Sequence, residues 1–317
     1  MDNEWERINE VIEINKEIAN ELVRSFDSRK VVESIEKFSG GRSTTNYKIK
    51  IEGLEQEFVL RIYSKSSNIC KKEFEVYKKL GEFIPIPEVY YIDEENNIIN
   101  KPYAIVQFLD GITLDQQIKD NNEFSTKTAE EIGERLAFIH KTGFNKEGLL
   151  DENFNIVEGL PPILSWYDFF INNRAGIRLG SKVKDDLVQC LKANNDLLEE
   201  MTSKFVFSHG DFRPSNIMVK DGTLVGILDW EFALSAPAYF DIGQFIRYEE
   251  QMIGNSQSSF INAYNKSSGI NLTKEWKKIA KLMDLANILS LLDNEEEKPN
   301  LFADMVNLTQ KTIEILK

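Results

Sequence analysis

The chain's character changes to mostly helix after Asp110-Gly111, and that change constrains the architecture more than any other feature. Before it, apolar residues recur in short runs broken by turn residues. "VVESIEKFSGGRSTTNYKIKIEGLEQEFVLRIY" reads as three strands, the first ending at "SGGRSTTN" and the other two flanking "EGLEQE". A helix is expected from about Asn68 to Leu80, then two further strands in "IPIPEVYYID" and "PYAIVQFL". Trp5, Ile8, Val11, Ile12, Ile18 and Leu22 stand near helical spacing, which predicts a leading amphipathic helix over Asn3–Phe26. Residues 1–110 therefore read as a helix plus a small five-stranded antiparallel sheet with one inserted helix.

Beyond Gly111 the pattern is mostly helical. "TAEEIGERLAFIHKTG" has Thr128 and Glu131 at capping-box spacing, puts Ile132, Leu136 and Ile139 on one face, and is expected to stop at Gly143. Lys184–Met201 reads as another helix, and Phe240–Lys317 as a helical remainder. Between them, "NIMVKDGTLVGILDW" carries Asp221-Gly222 between two apolar runs, a strong hairpin signal. The acidic run at 293–297 reads as a solvated helix end or loop. The fold class expected is α+β, with a mainly β N-terminal lobe (1–110) and a helical C-terminal lobe (111–317).

With 317 residues, the chain is long enough for two lobes, and its net charge of −14 disfavours nucleic acid and anionic membrane as partners. A negative surface suits a cationic small molecule. The two cysteines, Cys70 and Cys190, form no metal or disulfide pattern, the N-terminus is polar, and no apolar run spans a bilayer, so a cytoplasmic location is expected.

Four features then occur in a fixed order. Each alone has a structural explanation: a glycine turn, a solvated strand charge, an Asx-capped turn, a charged strand end. The turn "SGGRSTTN" could cradle phosphates with its N–H groups and the hydroxyls of Ser43, Thr44 and Thr45. Arg61 lies inside the strand "FVLRIY" and must be exposed or paired; Glu73 on the next helix is the candidate partner. "HGDFRPSN" holds His209, Asp211, Arg213 and Asn216. Asp229 follows the second strand of the Asp-Gly hairpin, so the hairpin brings it back to Asn216. One carboxylate and one amide oxygen suit Mg²⁺, which takes few protein oxygens, while Asp211 is left to accept a proton from a hydroxyl. A base, a metal platform and phosphate grips are the parts that phosphoryl transfer needs.

"HGDFRPSN" and "ILDWEFALSAPAYFD" resemble the catalytic-loop and metal-binding segments of the aminoglycoside phosphotransferase and choline kinase-like enzymes, relatives of the protein kinases; "EFEVYKKL", "IPIPEVY", "YAIVQFLDG" and "AEEIGERLAFIH" stand where that family has comparable segments. The resemblance covers roughly residues 30–250. It implies a two-lobed kinase-like fold and transfer of the γ-phosphate of ATP or GTP to a small-molecule hydroxyl, first among them an aminoglycoside or similar antibiotic, with a macrolide, choline-like compound or sugar as alternatives. It implies Asp211 as base or hydroxyl-orienting residue, Arg213 near the transferred phosphate, and Asn216 and Asp229 as Mg²⁺ ligands. Ser43, Thr44, Arg61, Glu73, Gln107 and Leu109 would hold the nucleotide, His209 would brace the loop and Asp241 would anchor it; Glu231 fits the antibiotic-kinase pattern with a less defined role. Kinases usually have lysine where Arg61 stands, although some members of the family resemble this chain in having arginine; a non-catalytic nucleotide-binding regulator is therefore a rival. If the acceptor is a polycation, carboxylates of the helices after Phe240 must face it; Glu249 and Asp284 are the candidates.

Overall fold

The structure, a computed structural model, describes residues 5–64, 67–121, 125–200, 204–252, 254–270 and 272–317. Helix α1 (Lys16–Phe26) precedes strands β1 (Val32–Lys37), β2 (Thr44–Ile51) and β3 (Glu57–Tyr63); then come α2 (Ser67–Leu80), β4 (Val89–Asp93) and β5 (Tyr103–Gln107). These five strands form one antiparallel sheet of order β1-β2-β3-β5-β4, as the sequence predicts. Alternation decides which face each residue takes. Phe58, Leu60 and Ile62 of β3 pack with Leu22 and Val23 of α1, while Val59 and Arg61 point to the opposite face.

The leading helix is shorter than its apolar spacing predicts. It starts at Lys16, where the Asn15 side chain caps the N–H of Ile18 at 2.9 Å. Upstream, the N–H groups that a helix would need are already engaged by β2 and the turn before it. Ile8 and Asn9 N–H donate to Arg42 O, Ile12 N–H to Thr45 Oγ1, and Ile14 N–H to the Tyr47 hydroxyl. The segment is therefore an extended strap along the sheet.

The second part begins with β6 (Ile112–Thr113), α3 (Leu114–Asn121) and α4 (Thr126–Ile139). Ser125, not Thr128, caps α4, and the helix ends at His140, short of Gly143. Thr128 and Glu131 serve the hairpin instead: Thr128 Oγ1 donates to Gly222 O (2.5 Å) and Glu131 accepts from Leu224 N–H (2.9 Å). Strands β7 (Gly143–Phe144), β8 (Gly148–Leu150) and β9 (Ile156–Gly159) follow, then α5 (Ile163–Ile171), α6 (Arg174–Ala193), bent at Gly180, and α7 (Asn195–Glu200). The single helix expected over Lys184–Met201 is thus two, divided at Asn194; Met201 lies outside the described residues. Strand β10 (Phe205–Ser208), the hairpin β11–β12 (Ile217–Lys220 and Thr223–Ile227) and β13 (Leu234–Pro237) lead to α8 (Tyr239–Phe245), α9 (Ser256–Ser268), α10 (Trp276–Leu292) and α11 (Pro299–Leu316). The acidic run after α10 is tied down in part: Asp293 accepts from Ala175 N–H, and Glu295 and Glu297 pair with Arg174 and Arg178.

Helices α4 and α9 touch closely through Gly133. A methyl group there would stand 2.3 Å from Phe260 O, so the helices would have to part. Gly133→Ala is expected to cost about 1–3 kcal/mol, despite alanine's better helix propensity. A fall in the urea midpoint checks this; an unchanged or raised midpoint would contradict the packing.

Candidate active site

The polar run after β10 is built by backbone donors. A single carboxylate, Asp241 on α8, accepts from His209 N–H (2.7 Å), Gly210 N–H (2.9 Å) and His140 Nε2 (3.0 Å). Gln244, one turn along, accepts from Phe212 N–H (2.8 Å) and donates to Gly210 O (2.9 Å). His209 accepts from Asp211 N–H at Nδ1 (3.2 Å), so its Nε2 carries the proton and donates to Leu228 O (2.9 Å). Burial disfavours its charged form and lowers its pKa, which keeps this tautomer neutral. Gly210 is needed twice over: its φ is +86°, and a side chain would meet Phe232 O at 2.1 Å. The loop is thereby fixed between α8 and the hairpin.

Asp211 projects from this loop. Arg213 grips both of its oxygens, at 2.5 and 2.8 Å, and the Asn216 amide donates to Asp211 Oδ2 at 2.8 Å. Burial alone would push the Asp211 carboxyl up, but the adjacent guanidinium outweighs it and holds the group down at about 2. Asp211 is therefore ionised at neutral pH and a weak base, better suited to orienting a hydroxyl than to removing its proton early.

The hairpin register pairs Ile217 with Ile227, and Leu228 N–H donates to Asn216 O (2.8 Å), so Asn216 and Asp229 sit at neighbouring strand ends. Asp229 has φ +61°, a conformation uncommon for a non-glycine residue. Arg61 reaches it across the cleft at 2.6 Å and also holds Glu73 at 3.0 Å. The Tyr63 hydroxyl completes the Glu73 carboxylate at 2.5 Å. Glu231 accepts from Ser43 Oγ at 2.7 Å, linking the glycine-rich turn to the segment after the hairpin. Burial pushes the Glu231 carboxyl up to about 7, with Asp229 and Glu73 adding to the rise against the pull of Arg61.

These groups line one cavity of about 1010 Å³, together with Gln107 and Leu109 at the junction of the two parts. For a metal, the donor set fits Mg²⁺. Asn216 uses its Nδ2 on Asp211, which leaves Oδ1 as an acceptor, and Asp229 keeps Oδ2 outside its pair with Arg61.

Not every expected residue joins them. Thr44 and Thr45 are buried away from the cavity: Thr44 Oγ1 accepts from Asn46, and Thr45 Oγ1 from Ile12 N–H, so only Ser43 of the three hydroxyls lines it. Asp284 is a correction. Its carboxylate is 1% exposed and gripped by Arg247, whose Nε and Nη2 stand at 2.9 and 2.5 Å, so it has nothing to offer a ligand. Glu249 is likewise engaged by Lys277, Lys281 and Gln257, and neither acid lines the cavity. Sequence reasoning missed Tyr63, Gln244 and His140. The first two had a signal: Tyr63 is two residues from Arg61 on the same strand, and Gln244 is three from Asp241 on one helix.

A family model described as the phosphotransferase enzyme family (APH) matches residues 34–280, and the chain belongs to that family. It is a phosphotransferase with an alcohol group as acceptor, built on a kinase-like fold. An aminoglycoside 3'-phosphotransferase of Enterococcus faecalis is 23% identical over 237 residues, which cover 73% of this chain and 84% of the relative. A thermostable mutant of aminoglycoside phosphotransferase APH(4)-Ia, solved as a ternary complex with ADP and hygromycin B, superposes with a TM-score of 0.65 at 15% identity and covers 92% of this chain and 96% of its own. The choline kinase LicA from Streptococcus pneumoniae gives 0.64 at 16% identity, over 94% of this chain and 98% of its own.

Two outcomes follow from the site's charges. Asp284→Ala leaves the Arg247 guanidinium buried without its counter-ion and is expected to cost about 3–5 kcal/mol of stability; a denaturation midpoint like that of wild type would refute the pairing. Glu231 binds its proton more tightly folded than unfolded, so its stabilising contribution is full below the usual carboxylate range and is lost as pH rises through about 7. In metal-free buffer at pH 8, Glu231→Gln should therefore melt a few degrees above wild type, a gain of roughly 1–3 kcal/mol that shrinks towards pH 5. Equal melting curves across that range would show that the carboxylate is not penalised by burial.

Proposed function

We propose that this chain transfers the γ-phosphate of ATP to a hydroxyl of a small molecule, in the cleft between an N-terminal lobe (1–110) and a C-terminal lobe (111–317), in the cytoplasm. One observation carries the reading. A continuous bonded path runs from Asp211 to Asn216 (2.8 Å), and a second runs from Asp229 through Arg61 (2.6 Å) to Glu73 (3.0 Å), and both line the same cavity. That is the set of parts an in-line phosphoryl transfer requires.

Arg61 grips the donor phosphates, and Glu73 with Tyr63 holds it in place. Gln107 and Leu109 border the base, and Ser43 with the glycine-rich turn covers the phosphates. Asn216 and Asp229 hold magnesium, which when bound neutralises charge on the phosphate oxygens. Asp211 accepts a hydrogen bond from the acceptor hydroxyl, points it at phosphorus, and takes its proton late, in keeping with its low pKa. Arg213, already on Asp211, is placed to meet charge that develops on the transferred group.

An aminoglycoside is the first acceptor class to try, since relatives bear that name. A specific observation favours a second class, an alcohol with less positive charge. The carboxylates expected to greet a polycation are already paired within the protein, Asp284 by Arg247 and Glu249 by Lys277 and Lys281.

The reading is tested by substrate-dependent ADP release over a panel of antibiotics and small metabolic alcohols. Once an acceptor is found, Asp211→Asn should bind MgADP as wild type does and lose about 10²–10⁴-fold in kcat. Turnover within a few-fold of wild type would remove Asp211 from its role, and failure to bind MgADP at all would remove the kinase reading.

A further inference from the structure

The strap upstream of α1 does more than run along the sheet. Its first described residue, Trp5, is 7% exposed and donates its indole N–H to Asp304 on α11 (3.0 Å). The same Asp304 oxygen accepts from the Tyr248 hydroxyl (2.5 Å). Glu6 accepts from Asn300 and Leu301 N–H, at 2.9 and 3.3 Å, in the first turn of α11. There it satisfies donors that have no partner within the helix, and its negative charge suits the helix N-terminus. Lys298, 3% exposed, donates to Arg7 O (3.0 Å). The other end of the strap holds the glycine-rich turn: the Arg7 guanidinium donates to Gly41 O and Thr44 O, and the Asn9 amide to Ser43 O (2.8 Å).

Between these anchors the indole faces the catalytic loop. The Arg213 guanidinium carbon lies 5.6 Å from the Trp5 ring centroid, and Arg213 is the residue that clasps Asp211. Trp5 and Asp211 line the same cavity. On the kinase reading above, the donor nucleotide would lie against the glycine-rich turn, Arg61 and the junction at Gln107. An acceptor hydroxyl that attacks in line must come to Asp211 from the side away from the donor; Trp5 lines the cavity beside Arg213, the residue that clasps Asp211.

We propose that Trp5 bounds the acceptor side of the site, a specificity-determining residue supplied by the N-terminal strap, whose small exposed part meets an uncharged group of the acceptor. This rests on the kinase reading above. An uncharged group fits because cation positions over the indole are already taken by Arg42, at 4.4 Å from the ring centroid, and Arg213, at 5.6 Å. This boundary also keeps water from competing for the phosphoryl group.

Water is therefore the probe. Wild type should hydrolyse MgATP slowly without acceptor. Trp5→Ala should raise that rate by about tenfold while its MgADP affinity, measured by calorimetry, stays within about threefold; Trp5→Phe, which keeps an aromatic wall, should stay within about twofold of wild type. Glu6→Gln, which loosens the α11 anchor and leaves the indole in place, should give an intermediate rise. It should also make the emission attributable to Trp5, taken as the difference from Trp5→Phe, more open to acrylamide. It carries the test if Trp5→Ala does not fold. Hydrolysis within twofold of wild type in the folded variants, with MgADP bound normally, overturns the proposal. A Trp5 that only braces the glycine-rich turn would instead weaken MgADP binding and leave the hydrolysis rate flat, which also overturns it. Wild type that binds no MgADP removes the kinase reading itself.

Discussion

Arg61 is a cation placed on a central strand, largely out of water, and the site is arranged around the need to pair it. A guanidinium in that setting costs several kcal/mol unless opposite charges and hydrogen bonds meet it. Glu73 meets it from α2 and Asp229 from the end of the hairpin, so one side chain ties the sheet, its inserted helix and the catalytic half together. Tyr63 then satisfies the Glu73 oxygen that Arg61 does not take. The pairing works in both directions. It makes the charge tolerable, and it fixes Arg61 and Asp229, the proposed phosphate grip and metal-binding carboxylate, relative to each other.

The catalytic loop is held by a different device. Its backbone N–H groups, not its side chains, are captured by Asp241 and Gln244 from α8. Main-chain capture sets the positions of Asp211 and Asn216 from behind, and both side chains line the cavity. His209 adds a third constraint by spanning Asp211 N–H and Leu228 O, which links the loop to the far strand of the hairpin. His140 reaches the same Asp241 oxygen from α4 and takes the Tyr264 hydroxyl from α9 at its other nitrogen. The loop geometry is thus anchored in the packing of the helical part.

What the sequence made legible was local. The alternation in "FVLRIY" puts Arg61 opposite the core-facing residues, and an Asp-Gly turn fixes a two-residue hairpin whose register returns Asp229 to Asn216. Both follow from a few adjacent residues. The failures were of two physical kinds. Trp5, Ile8, Val11 and Ile12 have spacing that a helix could use, yet backbone donors there are claimed by residues 42–47, more than thirty positions away. Asp284 is charged and lies on a helix, so solvent or a ligand seemed its natural neighbour. Its partner Arg247 comes from another element, and no periodicity reveals it.

That second failure bears on what selects a substrate. A net charge of −14 describes a surface, whereas a binding site for an ammonium needs a carboxylate whose charge is not already cancelled. Around the helices that follow the catalytic segment, Asp284 and Glu249 have had theirs cancelled by Arg247, Lys277 and Lys281. Asp304 differs: it takes two neutral donors, Trp5 and Tyr248, and spends its charge on fixing the strap to α11. These three acids therefore act on the protein's own parts. On the reading proposed above, an acceptor is selected by shape more than by charge, and the strap, which belongs to neither the sheet nor the helical bundle but is bonded to both, supplies part of that shape.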